Sequence, residues 1–190
     1  MADRLYLSCW IRGFGAMSML RHYEKVLQMF PFSKLKRTDS AFRVYAIEYS
    51  EPPLIEVPVA APVNPTSVID SAKEFQNADA CYELDAAWDL WALDPEWKLA
   101  PSRVLISCYG PEFSRETDEH LRIEFGLDEQ FLPGPGGPDG MPMIRANIQS
   151  LLRLVHDLDD RLRVDRRQLW SESGENFAER LEAALRQFKE

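Results

Sequence analysis

Tyr82-Glu83-Leu84-Asp85-Ala86-Ala87-Trp88-Asp89-Leu90-Trp91 alternates two sets of side chains with a period of two. Successive side chains of a strand point to opposite faces, so Tyr82, Leu84, Ala86, Trp88 and Leu90 share one face, while Glu83, Asp85, Asp89 and Trp91 share the other. One apolar and one polar face mark a strand covered on a single side, the habit of antiparallel sheets.

Working outward, Arg103 to Tyr109 is apolar on both faces and reads as a central strand. Leu121, Ile123 and Phe125 mark another after a charged loop, so three successive strands form an antiparallel meander, with Pro95 and Pro101 bracketing its first turn. Toward the N-terminus, Leu5, Leu7, Cys9 and Ile11 alternate with Tyr6, Ser8, Trp10 and Arg12, which predicts the first strand. Gly13 and Gly15 end it. Met17, Leu20, Tyr23, Leu27 and Phe30 then recur every three or four residues until Pro31 stops a helix. Phe42 to Tyr49 reads as a second strand, and this β-α-β order predicts two parallel strands joined by a right-handed crossover.

Five prolines (52, 53, 58, 62 and 65) make residues 51–65 an extended connector at the surface or along a sheet edge. Thr66 or Ser67 is placed to cap a short helix through Val68, Ile69, Ala72 and Phe75. The Pro/Gly segment Pro133 to Pro142 precedes the strongest amphipathic helix, with Ile144, Ile148, Leu151, Leu158 and Leu162 on its apolar side. Ser173 is a candidate cap for a final helix through Phe177, Leu181, Ala184 and Phe188. Residues 162–170 fit helical and strand spacing about equally.

The expected class is therefore α+β: a largely antiparallel sheet of five or six strands covered by about four helices, with a ferredoxin-like or split β-α-β element order. The 190 residues suit one domain, 1–190. A degenerate duplication is a further reading. Arg4 to Trp10 resembles Arg103 to Tyr109, and a shift of 79 residues aligns Leu90-Trp91 with Leu169-Trp170, giving halves of about 1–92 and 103–190 joined around 93–102.

Twenty-two basic against thirty-one acidic residues give a net charge of −9, which disfavours nucleic acid as a partner. Residues 49–130 carry 17 acidic and 5 basic groups and hold the whole excess. No run of apolar residues is long enough to span a bilayer, and the first residues lack the apolar core of a secretion signal, so no membrane association and a cytoplasmic location are expected. Cys9, Cys81 and Cys108 are odd in number and include no C-x-x-C pair, which fits a reducing compartment and small buried side chains better than disulfides or zinc.

No P-loop, Rossmann glycine pattern, Gly-x-Ser-x-Gly elbow, His-Glu-x-x-His or EF-hand string occurs, so no catalytic residue, cofactor or metal is assigned. Gly134 to Gly140 precedes a helix, but its internal prolines remove amides that a phosphate would need, leaving Arg145 as the residue that would matter there. Glu83, Asp85 and Asp89 on one strand face, continued by Trp91, form the candidate binding surface for a protein partner or a second copy of the chain. The alternative is an enzyme or ligand sensor with a small-molecule pocket near His120 or that carboxylate cluster.

Overall fold

The computed structural model describes residues 3–133, 140–173 and 176–187. Its seven strands are β1 (Arg4–Ile11), β2 (Ser40–Ala46), β3 (Ile55–Val59), β4 (Ala80–Leu93), β5 (Trp97–Tyr109), β6 (Leu121–Leu127) and β7 (Val164–Ser171). Four helices accompany them: α1 (Met19–Met29), α2 (Pro65–Ala72), α3 (Met141–Leu162) and α4 (Phe177–Gln187). The strands form one sheet in the order β3-β2-β4-β5-β6-β1-β7, every neighbouring pair antiparallel.

The α+β class and the antiparallel sheet stand, but five or six strands is too few and the order is not ferredoxin-like. The additional strand is β3, inside the proline-rich connector. Pro58 pairs opposite Ala41, and β3 tolerates it because an edge strand has one side free of ladder bonds. Residues 164–171 are strand, hydrogen-bonded along β1. β1 and β2 do run the same way, as four antiparallel steps require, yet three strands stand between them, so the first crossover is far wider than a split β-α-β unit.

All four helices lie on one face. Tyr82, Leu84, Ala86, Trp88 and Leu90 enter this core with Leu5, Leu7, Cys9, Ile106, Ile123 and Phe125. On α1 the buried stripe is Met19, Tyr23, Val26 and Leu27; Met17 precedes the helix and is 90% exposed, a correction to the expected stripe. The buried Tyr23 hydroxyl donates to the Ile106 carbonyl at 3.0 Å, which satisfies the polar end of an otherwise apolar side chain.

Two caps differ from expectation. Asn64, not Thr66 or Ser67, caps α2, accepting from the Thr66 amide at 3.0 Å, because Pro65 occupies the first helical position and the residue before it takes the cap. Before α4, Asn176 accepts from the Ala178 amide at 3.2 Å, whereas Ser173 bonds to the Ser171 hydroxyl. The β4–β5 turn also is tighter than the two prolines suggested: Pro101 lies within β5 opposite Asp89, beyond the part of β5 that pairs with β6 and so where no ladder bond is lost.

Candidate functional site

Strand register fixes what the helix-free face displays. Residues paired directly across neighbouring strands share a face. One transverse row reads Glu56, Arg43, Glu83, Ser107, Arg122, Ser8 and Gln168 from β3 to β7, and the next Pro58, Ala41, Asp85, Leu105, Glu124, Tyr6 and Trp170. No described helix packs on this face, which has two different ends.

At the β2–β5 end lie the carboxylates singled out in the sequence. Glu83 and Asp85 share the face, but each has a basic neighbour. The Arg43 guanidinium sits between Glu56 at 2.9 Å and Glu83 at 3.4 Å, and Arg103 holds Asp85 through two bonds of 3.0 and 2.8 Å. Burial raises the Glu83 carboxyl above its ordinary range, and Arg43 pulls the other way. Asp89 serves the loop after α1, accepting from the Ser33 hydroxyl and from the Lys34 amide at 2.9 Å. Trp91 continues the face, half-buried, with its main chain held by Asn147. Opposite charges thus alternate where the sequence alone displayed only acids. Among the described residues no group of three metal-ligating side chains is placed to hold an ion.

At the β1–β7 end the same face becomes an aromatic groove of about 540 Å³. Tyr6 stacks on Trp170 at 4.5 Å, and the Trp170 indole donates to Ser8 at 3.0 Å. Arg166 lies 3.6 Å over the Trp10 ring, whose N–H donates to Asp118 at 2.9 Å. Arg122 stands among the rings of Tyr6, Tyr109 and Trp170 at about 6 Å, donates to Thr117 at 2.7 Å and pairs with Glu119, which is 1% exposed. A cation held near several aromatic faces gains from their quadrupoles.

The wall of this groove is the segment between β5 and β6, and Arg115 fixes its shape. Its guanidinium donates to the carbonyls of Gly110, Phe113 and Glu119 at 3.1, 3.2 and 2.7 Å and covers the Tyr109 ring. The groove is therefore preorganised, with its arginines shared between rings and carboxylates.

His120 lies just behind this wall. Its Nδ1 accepts the Ile11 amide at 2.8 Å and its ring stacks on Phe14 at 4.3 Å, while His22 approaches Phe14 from α1 at 5.7 Å. Arg145 is exposed on α3 near the opposite end of the sheet. Leu121, next to His120, is level with Tyr82 through Cys108, whereas α3 meets β4 at Trp91, nine residues and roughly 30 Å farther along the strand. The structure does not bring His120 and Arg145 together, and the glycine-rich segment 134–139 lies outside the described residues. Burial pushes the Cys9 thiol up to about 12 and raises Cys81 and Cys108 as well, so none of the three is a ready nucleophile.

Burial lowers both histidines, assisted by Arg115 at His120 and by Arg21 and Lys25 at His22; Asp118 and Glu119 act in the opposite sense at His120. A proton on His120 Nδ1 would also sever its bond to Ile11. A histidine depressed in the folded state contributes stability that is complete above the unfolded value of 6.5 and is lost as pH falls below it. Urea midpoints are expected to drop between pH 7 and pH 5.5, and replacing both histidines by glutamine should flatten that slope. An unchanged slope in the double variant would assign the loss to other groups.

Sequence reading placed Tyr6, Ser8 and Trp10 on the polar face of the first strand but did not single them out. Trp170 and Arg122, with Glu119 paired to it, join them only through pairings 114 and 164 residues apart, which no local signal carries. Comparison with protein-family models, curated proteins and solved structures found no match to this chain.

Proposed function

We propose that this protein is a binding module, and that the helix-free face of its sheet is where it meets a partner protein. The observation that carries this reading is the rigid groove around Trp10 and Trp170, because preorganised tryptophan and arginine side chains are the groups most often found at the centre of protein interfaces. Glu83, Asp85 and Asp89 belong to the same face. There their pairing with Arg43 and Arg103, and with the loop at Ser33, makes them a charge-ordered rim that sets register. The three free, buried thiols support a reducing, cytoplasmic setting, and no described helix is long and apolar enough to cross a membrane.

The test compares proteins retained by the purified wild type with those retained by a Trp10→Ala, Arg166→Glu variant, with Lys73→Ala, exposed just after α2, as a remote control. Retention is expected to fall by about tenfold or more in the groove variant alone, the loss of roughly 1.4 kcal/mol or more. Equal retention by all three would overturn the reading. A second reading, a small-molecule sensor, is favoured by the groove's volume, which lies within the usual range for ligand sites, and by the buried Glu119–Arg122 pair at its wall. Native mass spectrometry distinguishes the two, since a retained small molecule lost in the groove variant would move the assignment to the sensor.

A further inference from the structure

β7 is an edge strand with a cleft on each of its faces. On the sheet's open face its Arg166, Gln168 and Trp170 line the aromatic groove. On the helix face an apolar cleft of about 610 Å³ opens beside it, floored by Leu7 and Leu169 and walled by Leu152 and Val155 of α3 and Leu181 and Leu185 of α4. A strand laid along β7 would send alternate side chains into these two clefts, because its own period of two matches the two faces.

The main chain of β7 is open to such a strand. The Glu172 amide donates inward to Arg4 at 2.9 Å, and by alternation Arg167 and Leu169 turn their amides outward. Only Asn176 pairs on that side among the described residues, forming an antiparallel bridge at Trp170 and leaving Val164 to Leu169 uncovered. The other edge of the sheet is protected: β3 has five residues and Pro58 among them. β7 contains no proline.

The charges around this edge select the occupant. Residues 161–168 hold four arginines against one aspartate, on a chain whose net charge is −9. All four are exposed; Arg166 is shared with Asp118 at 3.5 Å and Arg167 with Asp159, so the uncompensated charge lies with Arg161 and Arg163 at the start of the strand, which have no carboxylate partner among the described residues. A second copy is disfavoured, because a two-fold pairing centred on Arg166 and Arg167 sets arginine against arginine. We infer that β7 accepts an extended segment of a partner protein in which leucine-like side chains alternate with acidic ones. The segment runs antiparallel to β7, with its apolar residues in the α3–α4 cleft and its carboxylates on the open face toward Arg163 and Arg166, clear of Glu116 and Asp118 in the groove. This extends the proposed binding function by naming how the partner is held, and its main-chain part stands independently of the groove.

The probe is an end-capped eight-residue peptide alternating leucine and glutamate, titrated into the full chain by fluorescence anisotropy and followed by amide hydrogen exchange. Saturable binding is expected, with new protection at the Arg167 and Leu169 amides. A leucine–lysine peptide should bind at least about tenfold more weakly. Arg167→Pro removes one outward amide without touching the inward ladder to β1 and should weaken binding by about tenfold or more, well beyond Arg167→Ala, which keeps that amide. Should Arg167→Pro disturb folding, N-methylation of the peptide at its central amides makes the same test from the other side. Equal binding of the acidic and basic peptides, protection away from β7, insensitivity to both backbone changes, or no saturation would each overturn the inference. Loss of affinity in Trp10→Ala with β7 protection intact would instead report on the groove alone, so failure of strand addition and failure of the groove are separable.

Discussion

Trp88→Ala is expected to lower the unfolding free energy by about 3–5 kcal/mol, a drop of the order of 10 °C in Tm for a chain of this size. Trp88 is among the largest fully buried side chains, packed against Phe30, Phe125 and Phe131 with ring centroids 5.8, 5.2 and 6.1 Å away. These partners come from α1's end, β6 and the turn after it, so one cavity would loosen three elements. Its indole N–H is buried without a hydrogen-bond partner among the described residues. Trp88→Phe therefore removes an unpaired donor along with some volume and should cost much less, about 1–2 kcal/mol. Urea unfolding followed by circular dichroism measures both, avoiding the fluorescence that the substitution itself changes. A phenylalanine variant as unstable as the alanine one would show that the indole's shape, and not apolar volume, holds this corner.

The apolar face containing Trp88 was legible in the sequence because one strand alternates cleanly for ten residues. The same is true of β1 and β6. Periodicity within an element reports which side is buried, and burial is what the helices supply. Sheet order is another matter. The polar face of β1, Arg4, Tyr6, Ser8 and Trp10, carries basic, hydroxyl and aromatic groups that suit the polar face of more than one other strand, so its sequence pattern is compatible with several neighbours. Which ones it takes is decided by packing of distant elements, and β1 ends between β6 and β7, both from the second half of the chain.

That difference explains what happened to the candidate site. Glu83, Asp85 and Asp89 share a face with Trp91 as their spacing requires. Their electrostatic character, however, is set by Arg43 on one neighbouring strand and Arg103 on the other, and a carboxylate beside a guanidinium presents little net field. The groove at the other end was hidden for the same reason. Its two tryptophans lie 160 residues apart, and only antiparallel pairing of β1 with β7 sets Trp10 opposite Arg166 and Tyr6 opposite Trp170. The duplication suggested by Leu90-Trp91 and Leu169-Trp170 puts both pairs on strands, yet β4 lies between two neighbours while β7 is an edge.

Asn147→Leu is the other substitution with a large expected effect, about 2–4 kcal/mol, although it exchanges a polar side chain for an apolar one in a buried place. Beyond Asp85, β4 no longer has β2 beside it, and the loop after α1, which bridges β4 at Trp88 and bonds the Asp89 carboxylate, does not reach as far as Trp91. At Trp91 the side-chain amide of Asn147 takes the place of a strand: it accepts the Trp91 N–H at 2.9 Å and donates to the Trp91 and Gln130 carbonyls, each at 2.9 Å. Leucine matches the volume but leaves one main-chain donor and two acceptors short of partners in a setting where Asn147 is 1% exposed. Asn147→Asp keeps the acceptor for Trp91 and turns an anion toward two carbonyls, so it should be no better. Hydrogen exchange at the Trp91 amide is the direct readout, and it should accelerate in both variants while the amides of β1 and β6 stay protected under native conditions. Uniform acceleration through the sheet would mean that Asn147 supports global stability alone. A change confined to the β4–β5 hairpin identifies it as the pin that holds the long hairpin, and with it Trp91, onto α3.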